Sequence, residues 1–266
     1  MIGLRRRSAP AGQLNHIRRG EGEPLLLLHS LGGTVAQWTP VMDRLAESCE
    51  VIAIDMPGFG ASAPLPAGIE PTAANLAAAV LDFQESLGLE KPGVAGISLG
   101  AWTAIECGRQ GGATAVVAIS PAGFWKEPLA PKRSTAHQAA RLLRPLTPVL
   151  LRSGRFRRAT LAGNFHRPER LSAREATAVV RGYGDATAYV EANRLMRAGL
   201  VGDLSKLRVP LTLAWTEFDR LVRNRPLKEG VLPKGVRQMV LPGCGHVPTW
   251  DDPGLVAEVI LEGTRP

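Results

Sequence analysis

The chain has 266 residues, 45% of them hydrophobic, with mean hydropathy near zero and a formal net charge of +8. That is enough chain for one large domain, or one domain carrying an insertion, around a sizeable core. No run approaches the roughly 18 apolar residues of a membrane span, and three cysteines with no C-x-x-C spacing argue against a disulfide framework or a zinc site.

The arginines at positions 5–7 are followed by "SAPAGQLNHIRRGEGEP" with no hydrophobic region, so neither a secretory nor a twin-arginine leader is expected. Together with the cysteine usage this predicts a reducing compartment, the cytoplasm. The positive charge is concentrated. Residues 126–208 carry 17 Lys/Arg against 6 Asp/Glu, and the rest of the chain is slightly acidic. Such a segment can attract nucleic acid, anionic lipid or an acidic substrate, but an arginine-rich solvated helical surface is the simpler expectation. No nucleic-acid-binding motif is present in it, and no nucleic-acid partner is expected.

In chain order, "PLLLLH" (24–29) and "EVIAID" (50–55) are short, continuously apolar runs, the pattern of strands buried on both faces of a parallel sheet. "PTAANLAAAVLDFQESLG" (71–88) reads as a helix with proline at its start and glycine past its end. "GVAGI" (93–97) is a strand, "LGAWTAIECGR" (99–109) a helix and "TAVVAIS" (114–120) another strand. Residues 122–202 break this rhythm. They offer several helix starts and no strand, with a capping-box form at "SARE" (172–175) and a helix predicted from a capping Asp185 to Gly199. Two more strands follow, "VPLTLAW" (209–215) and "VRQMVL" (236–241). A last helix is predicted from an Asp252 cap to Gly263 just past its end. Alternating strands and helices predict an open α/β sheet, with 122–202 a helical insertion between two of its strands.

Within this frame "VAGISLGAWTA" (94–104) places Ser98 between Gly96 and Gly100 at a strand-to-helix turn. A sharp turn of that kind needs small neighbours and presents the hydroxyl at a helix N-terminus, where developing negative charge is favoured. A serine hydroxyl is a weak nucleophile and needs a base oriented by a third group. Asp219, in "AWTEFDRLV", follows the next-to-last predicted strand, and His246, in "LPGCGHVPTW", follows the last. Ligand chemistry in open α/β sheets collects at such carboxyl ends. The candidate catalytic set is therefore Ser98, Asp219 and His246, with Glu217 an alternative acid. The candidate oxyanion donors are the backbone N–H groups of Leu99 and Leu31, the latter in "LLLLHSLGGT" where Gly32 and Gly33 let the loop bend. His29 is expected to buttress that loop, and Cys244 to be a packing residue. No metal and no organic cofactor is required.

These residues resemble the α/β-hydrolase superfamily over nearly the whole chain, most closely its capped esterase- and lactonase-type members. The segments that carry the resemblance are "LLLLHSLGGT", "DMPGFGAS", "GISLGA" and "LPGCGHVP", with "TEFDRLV" in support. It implies an eight-stranded, mostly parallel sheet flanked by helices, with a helical cap after the sixth strand. The core would be 1–121 and 203–266 and the cap 122–202. It also implies that "DMPGFGAS" (55–62), a turn after the fourth strand, is structural and that Asp55 is not catalytic. One departure is His29-Ser30 where relatives commonly carry His-Gly, which would add a hydroxyl near the substrate. Ser98 argues against the epoxide-hydrolase and dehalogenase branches, which use Asp as nucleophile.

The expected activity is cleavage of a small carboxylic ester, thioester or lactone through an acyl-enzyme. The alternatives are carbon–carbon bond hydrolysis of a β-diketone-like substrate, or a hydrolase-fold binding protein with slow turnover. The expected partner is a small molecule, apolar if Phe124, Trp125, Phe156, Phe165, Tyr183 or Tyr189 line its pocket, anionic if an arginine does. The sequence does not fix the substrate or the oligomeric state.

Overall fold

The computed structural model describes residues 14–132, 134–205, 207–222, 232–233 and 235–265; the arginines at 5–7 lie outside them. Seven strands form one sheet: β1 (His16–Arg19), β2 (Pro24–Leu28), β3 (Glu50–Ile54), β4 (Gly93–Ile97), β5 (Ala115–Ile119), β6 (Leu211–Thr216) and β7 (Arg237–Leu241), in spatial order β1-β3-β2-β4-β5-β6-β7. All neighbours run parallel except β1, which pairs antiparallel with β3 at the edge. The described strands thus number seven where eight are implied. The turn at 55–62 accordingly follows the third strand and the helical insertion the fifth. Edge strand β1 carries "HIRR" with only Ile17 and Arg19 pointing one way, so no apolar run announces it.

The continuous apolar runs resolve into period-two packing on two faces. Leu26, Leu28, Ile52, Ile54, Val94 and Val116 meet one set of helices, α2 (Ala73–Ser86) and α3 (Leu99–Arg109), through Leu76, Val80 and Ile105. Leu25, Leu27, Val51, Ala53, Ile97 and Val117 meet the other, α1 (Thr39–Ala46) and α9 (Pro253–Thr264), through Val41, Leu45, Val256 and Ile260. Each such side chain, fully buried, contributes on the order of 1.5–3 kcal/mol. Gly263 lies inside α9 rather than beyond it, because the helix packs so closely that a Cβ there would sit 2.5 Å from Val117.

Between β5 and β6 the described residues form α4 (Thr135–Leu142), α5 (Thr147–Leu150), α6 (Gly154–Leu161), α7 (Ala173–Asp185) and α8 (Tyr189–Ala198). The capping box forms as spaced, Ser172 Oγ accepting from Glu175 N–H and the Glu175 carboxylate from Ser172 N–H. Asp185 instead ends α7 and pairs with Arg144, so α8 starts at Tyr189 without a side-chain cap. Among the described residues no helix is long and apolar enough to cross a membrane.

Candidate active site

Ser98 joins β4 to α3 with φ 58° and ψ −114°, a left-handed conformation that costs a non-glycine residue about 1–3 kcal/mol. The surroundings hold it there. Its N–H donates to Ile119 O at 2.9 Å, and its carbonyl accepts from the N–H groups of Trp102 and Ala122, both at 3.1 Å. The flanking glycines serve close approach. A Cβ on Gly100 would lie 2.2 Å from Leu28 O, and one on Gly96 would collide with the backbone of Gly100. The Ser98 side chain makes no capping hydrogen bond and is buried, so its hydroxyl is not spent on the helix it precedes.

Two further strand ends bring Asp219 and His246 together. Asp219 follows β6 and His246 follows β7, and His246 Nδ1 lies 2.8 Å from Asp219 Oδ2, both side chains no more than 5% exposed. The other carboxylate oxygen, Oδ1, accepts from the N–H groups of Leu221 and Val222, each at 2.8 Å. Burial by itself raises the Asp219 pKa. The hydrogen bond and charge of His246 and the two backbone donors outweigh it, and the carboxyl sits below its ordinary value. An ionised Asp219 has no proton to give, so Nδ1 carries the hydrogen and Nε2 is left as the basic nitrogen. Glu217 points elsewhere. It is exposed, and its carboxylate accepts from Gly243 N–H in the turn after β7.

The loop after β2 is fastened from behind. Met56 N–H donates to His29 Nε2 at 3.0 Å, so Nδ1 is the protonated nitrogen and donates to Ser30 O at 2.8 Å. His29 is wholly buried, and burial, opposed by Asp55 and the Ser30 carbonyl, lowers its pKa and keeps it neutral. The Ser30 hydroxyl is engaged by the protein: it accepts from Gln37 Nε2 while Ser30 N–H donates to Gln37 Oε1, both at 2.8 Å. Leu31 follows this clamp, and Leu99 opens α3, where the first N–H groups of a helix have no intrahelical acceptor. Asp55 takes hydrogen bonds from Val35 and Ala61 N–H and from Asn15 Nδ2, all within the turn and its neighbours.

The insertion reaches the same end of the sheet. Tyr183 and Tyr189 pack over Gly32, where a Cβ would lie 2.6 Å from Tyr183, and His137 stacks on Tyr189 at 4.5 Å. Phe124 and Phe165 are core residues edge-on to Trp215 and Trp250, Trp125 is buried and donates to Gly199 O, and Phe156 faces solvent. Cys244 is a packing residue whose thiol is pushed up to about 12 by burial and then by Asp251 and Asp252.

Sequence reasoning missed Asp251. It is 1% exposed and accepts from the N–H groups of Gly245, His166 and Arg167 at 2.7–2.9 Å. Val247 N–H adds a bond to Asn164 O, so the loop bearing His246 is tied to the segment between α6 and α7. Its neighbour Asp252 carried the legible signal, a helix cap that does form to Leu255 N–H. Nothing local distinguishes Asp251.

Comparison with known proteins gives a consistent setting. A profile of the alpha/beta hydrolase family matches residues 25–259. The chain is 32% identical over 200 residues to epoxide hydrolase EphH of Mycobacterium tuberculosis, a match covering 66% of this chain and 87% of that one. It is 34% identical over 117 residues, 42% of this chain, to the dihydrolipoyllysine-residue acetyltransferase component of the acetoin cleaving system of Cupriavidus necator, and spans 30% of that protein's length. The solved enol-lactonase of Burkholderia xenovorans LB400 superposes with a TM-score of 0.69 at 18% identity, covering 94% of this chain and 95% of that one; the likeness is one of fold.

Proposed function

The chain belongs to the alpha/beta hydrolase family and is a hydrolase, and from that premise we propose that it is a serine hydrolase that cleaves a small carboxylic ester, thioester or lactone. The observation that carries the proposal is the buried His246–Asp219 hydrogen bond at 2.8 Å, at the same end of the sheet as a strained Ser98. In this reading His246 Nε2 takes the Ser98 proton as Oγ attacks the carbonyl carbon. The Leu99 and Leu31 N–H groups receive the developing oxyanion, each such donor being worth roughly 2.7–4 kcal/mol of transition-state stabilisation. Collapse expels the alcohol or thiol, which leaves with the proton held on His246. Water, deprotonated by His246, then releases the acid from the acyl-enzyme, while Asp219 stabilises the imidazolium at each stage.

The nucleophile argues against ring opening of an epoxide by the same route. A serine oxygen adding to an epoxide carbon would leave an ether, which offers water no leaving group, whereas an acyl-serine is itself an ester and hydrolyses. The segment 122–202 is read as a cap, because its Tyr183 and Tyr189 lie on Gly32 beside the Leu31 donor. Three buried free thiols, Cys49, Cys107 and Cys244, agree with a cytoplasmic setting.

A fluorophosphonate probe tests the mechanism. The expected result is a single covalent adduct on Ser98, absent from Ser98→Ala, together with ester hydrolysis that the variant loses by at least about 10³-fold. Folded protein that takes up no probe and turns over no ester would point instead to a binding protein.

A further inference from the structure

A second candidate site lies within the insertion, lined by none of the candidate active-site residues. A cleft of about 310 Å³ opens between α5 and α7, lined by Pro148, Arg152, Ala173, Arg174, Thr177 and Arg181. Arg174, Thr177 and Arg181 are spaced i, i+3, i+7 and share one face of α7, and Arg152 faces them from the turn after α5. Three arginines and no acidic residue thus line the cleft.

Three acids of the insertion are paired away from the cleft. Glu169, Asp185 and Glu191 pair with Arg158, Arg144 and Arg194. Glu175, next to Arg174 and sensing its charge, has its carboxylate hydrogen-bonded by Ser172 N–H and by the indole N–H of Trp250. Among the described residues none of the three cleft arginines has a carboxylate within ion-pair distance. Arg181 Nε is moreover buried with no hydrogen-bond partner, a costly state for a charged donor. Arg174 adds its charge in the first turn of α7, the positive end of the helix dipole, where a cation is disfavoured and an anion favoured.

We propose that this cleft binds a compact oxyanion, a phosphate group above all, gripped by Arg152, Arg174 and Arg181. Guanidinium forks match the geometry of phosphate oxygens, and a bound anion would relieve the mutual repulsion of three cations. The site is independent of the hydrolase reading, since no residue of Ser98, Asp219, His246 or the two donor loops contributes to it.

The test is thermal unfolding of the full chain across a series of inorganic phosphate concentrations at fixed ionic strength. A ligand that binds only the folded state raises Tm in a saturable way. The expected result is such a rise, with the apparent Kd weakened about tenfold or more by Arg152→Gln and by Arg181→Gln, and unchanged by Arg155→Gln on α6. Arg152 is exposed, so R152Q keeps the experiment decisive should R181Q fail to fold. An equal rise in wild type and R152Q is the general salting effect of phosphate and overturns the proposal, as does the absence of saturation. Phosphatidylglycerol vesicles present the same chemistry on a lipid headgroup. Cosedimentation that R152Q abolishes and phosphate competes supports the cleft with a lipid as source. A saturable phosphate shift without cosedimentation supports it with a small soluble phosphate. Cosedimentation that R152Q leaves intact, without a saturable phosphate shift, assigns binding to the general basic surface and overturns it.

Discussion

Two opposing effects meet at Asp219. Burial favours the neutral acid, while His246 and two backbone donors favour the anion, and the anion wins. A carboxyl with a lowered folded pKa contributes stability that is complete above the ordinary carboxylate range, about 4, and is lost as pH falls through the lowered value. Asp219→Asn is therefore expected to flatten the acid limb of a plot of unfolding free energy against pH. The same variant favours the wrong imidazole tautomer, and kcat should fall by roughly 10³- to 10⁴-fold with little change in KM. A near-wild-type kcat would return the role of acid to Glu217. Ser30 shows the converse lesson. The hydroxyl expected near the substrate is hydrogen-bonded to Gln37, and a serine in place of glycine at this loop acts as a brace.

At the scale of elements, the turn from β4 to α3 depends on how closely α3 approaches β2. Gly100 and Gly111 separate the two reasons for glycine. Gly111 has φ +82° and open space where a Cβ would project, so Gly111→Ala pays only for its backbone conformation, about 1 kcal/mol. Gly100→Ala drives a methyl into the carbonyl oxygens of Leu28 and His29, backbone atoms that cannot rotate away. We expect a loss of about 2–3 kcal/mol or more, measured by urea unfolding, with displacement of Leu99 and a fall in activity beyond that of G111A. Equal stabilities for the two variants would refute this account of the turn.

Across the whole molecule the loops bearing Asp219 and His246 are held by long-range polar contacts as well as by the sheet. Phe218 N–H donates to Cys244 O and joins the loops of Asp219 and His246, and Asp251 joins the latter to the insertion. Asp251→Ala strands three N–H groups, two of them on residues 166 and 167. The expected cost is about 3 kcal/mol, a fall of roughly 6–10 °C in Tm for a chain of this size. Activity should fall further than the stability loss explains, because the loop that aims His246 is released. Calorimetry and steady-state kinetics on the same preparation check both; an unchanged Tm would sink the idea.

By itself the sequence determined what short-range spacing can encode. Largely apolar runs marked five of the seven described strands and a half-polar one, 236–241, the sixth, and the capping signals at Ser172, Glu175 and Asp252 formed their bonds, each spanning three residues. The order of Ser98, Asp219 and His246, each after a strand, was legible because a parallel sheet sends all its carboxyl ends to one side. Tertiary structure decided the rest. Edge strand β1 has no apolar run, since one of its sides pairs and the other meets solvent. The carboxylate of Asp219 turns inward to His246, whereas that of Glu217, two residues away, accepts from Gly243 N–H in an outer turn. Asp251, Gln37 and the tyrosines over Gly32 act on partners 6 to 157 residues distant in sequence. Such contacts depend on which loops converge in space, and a one-dimensional spacing carries no record of that convergence.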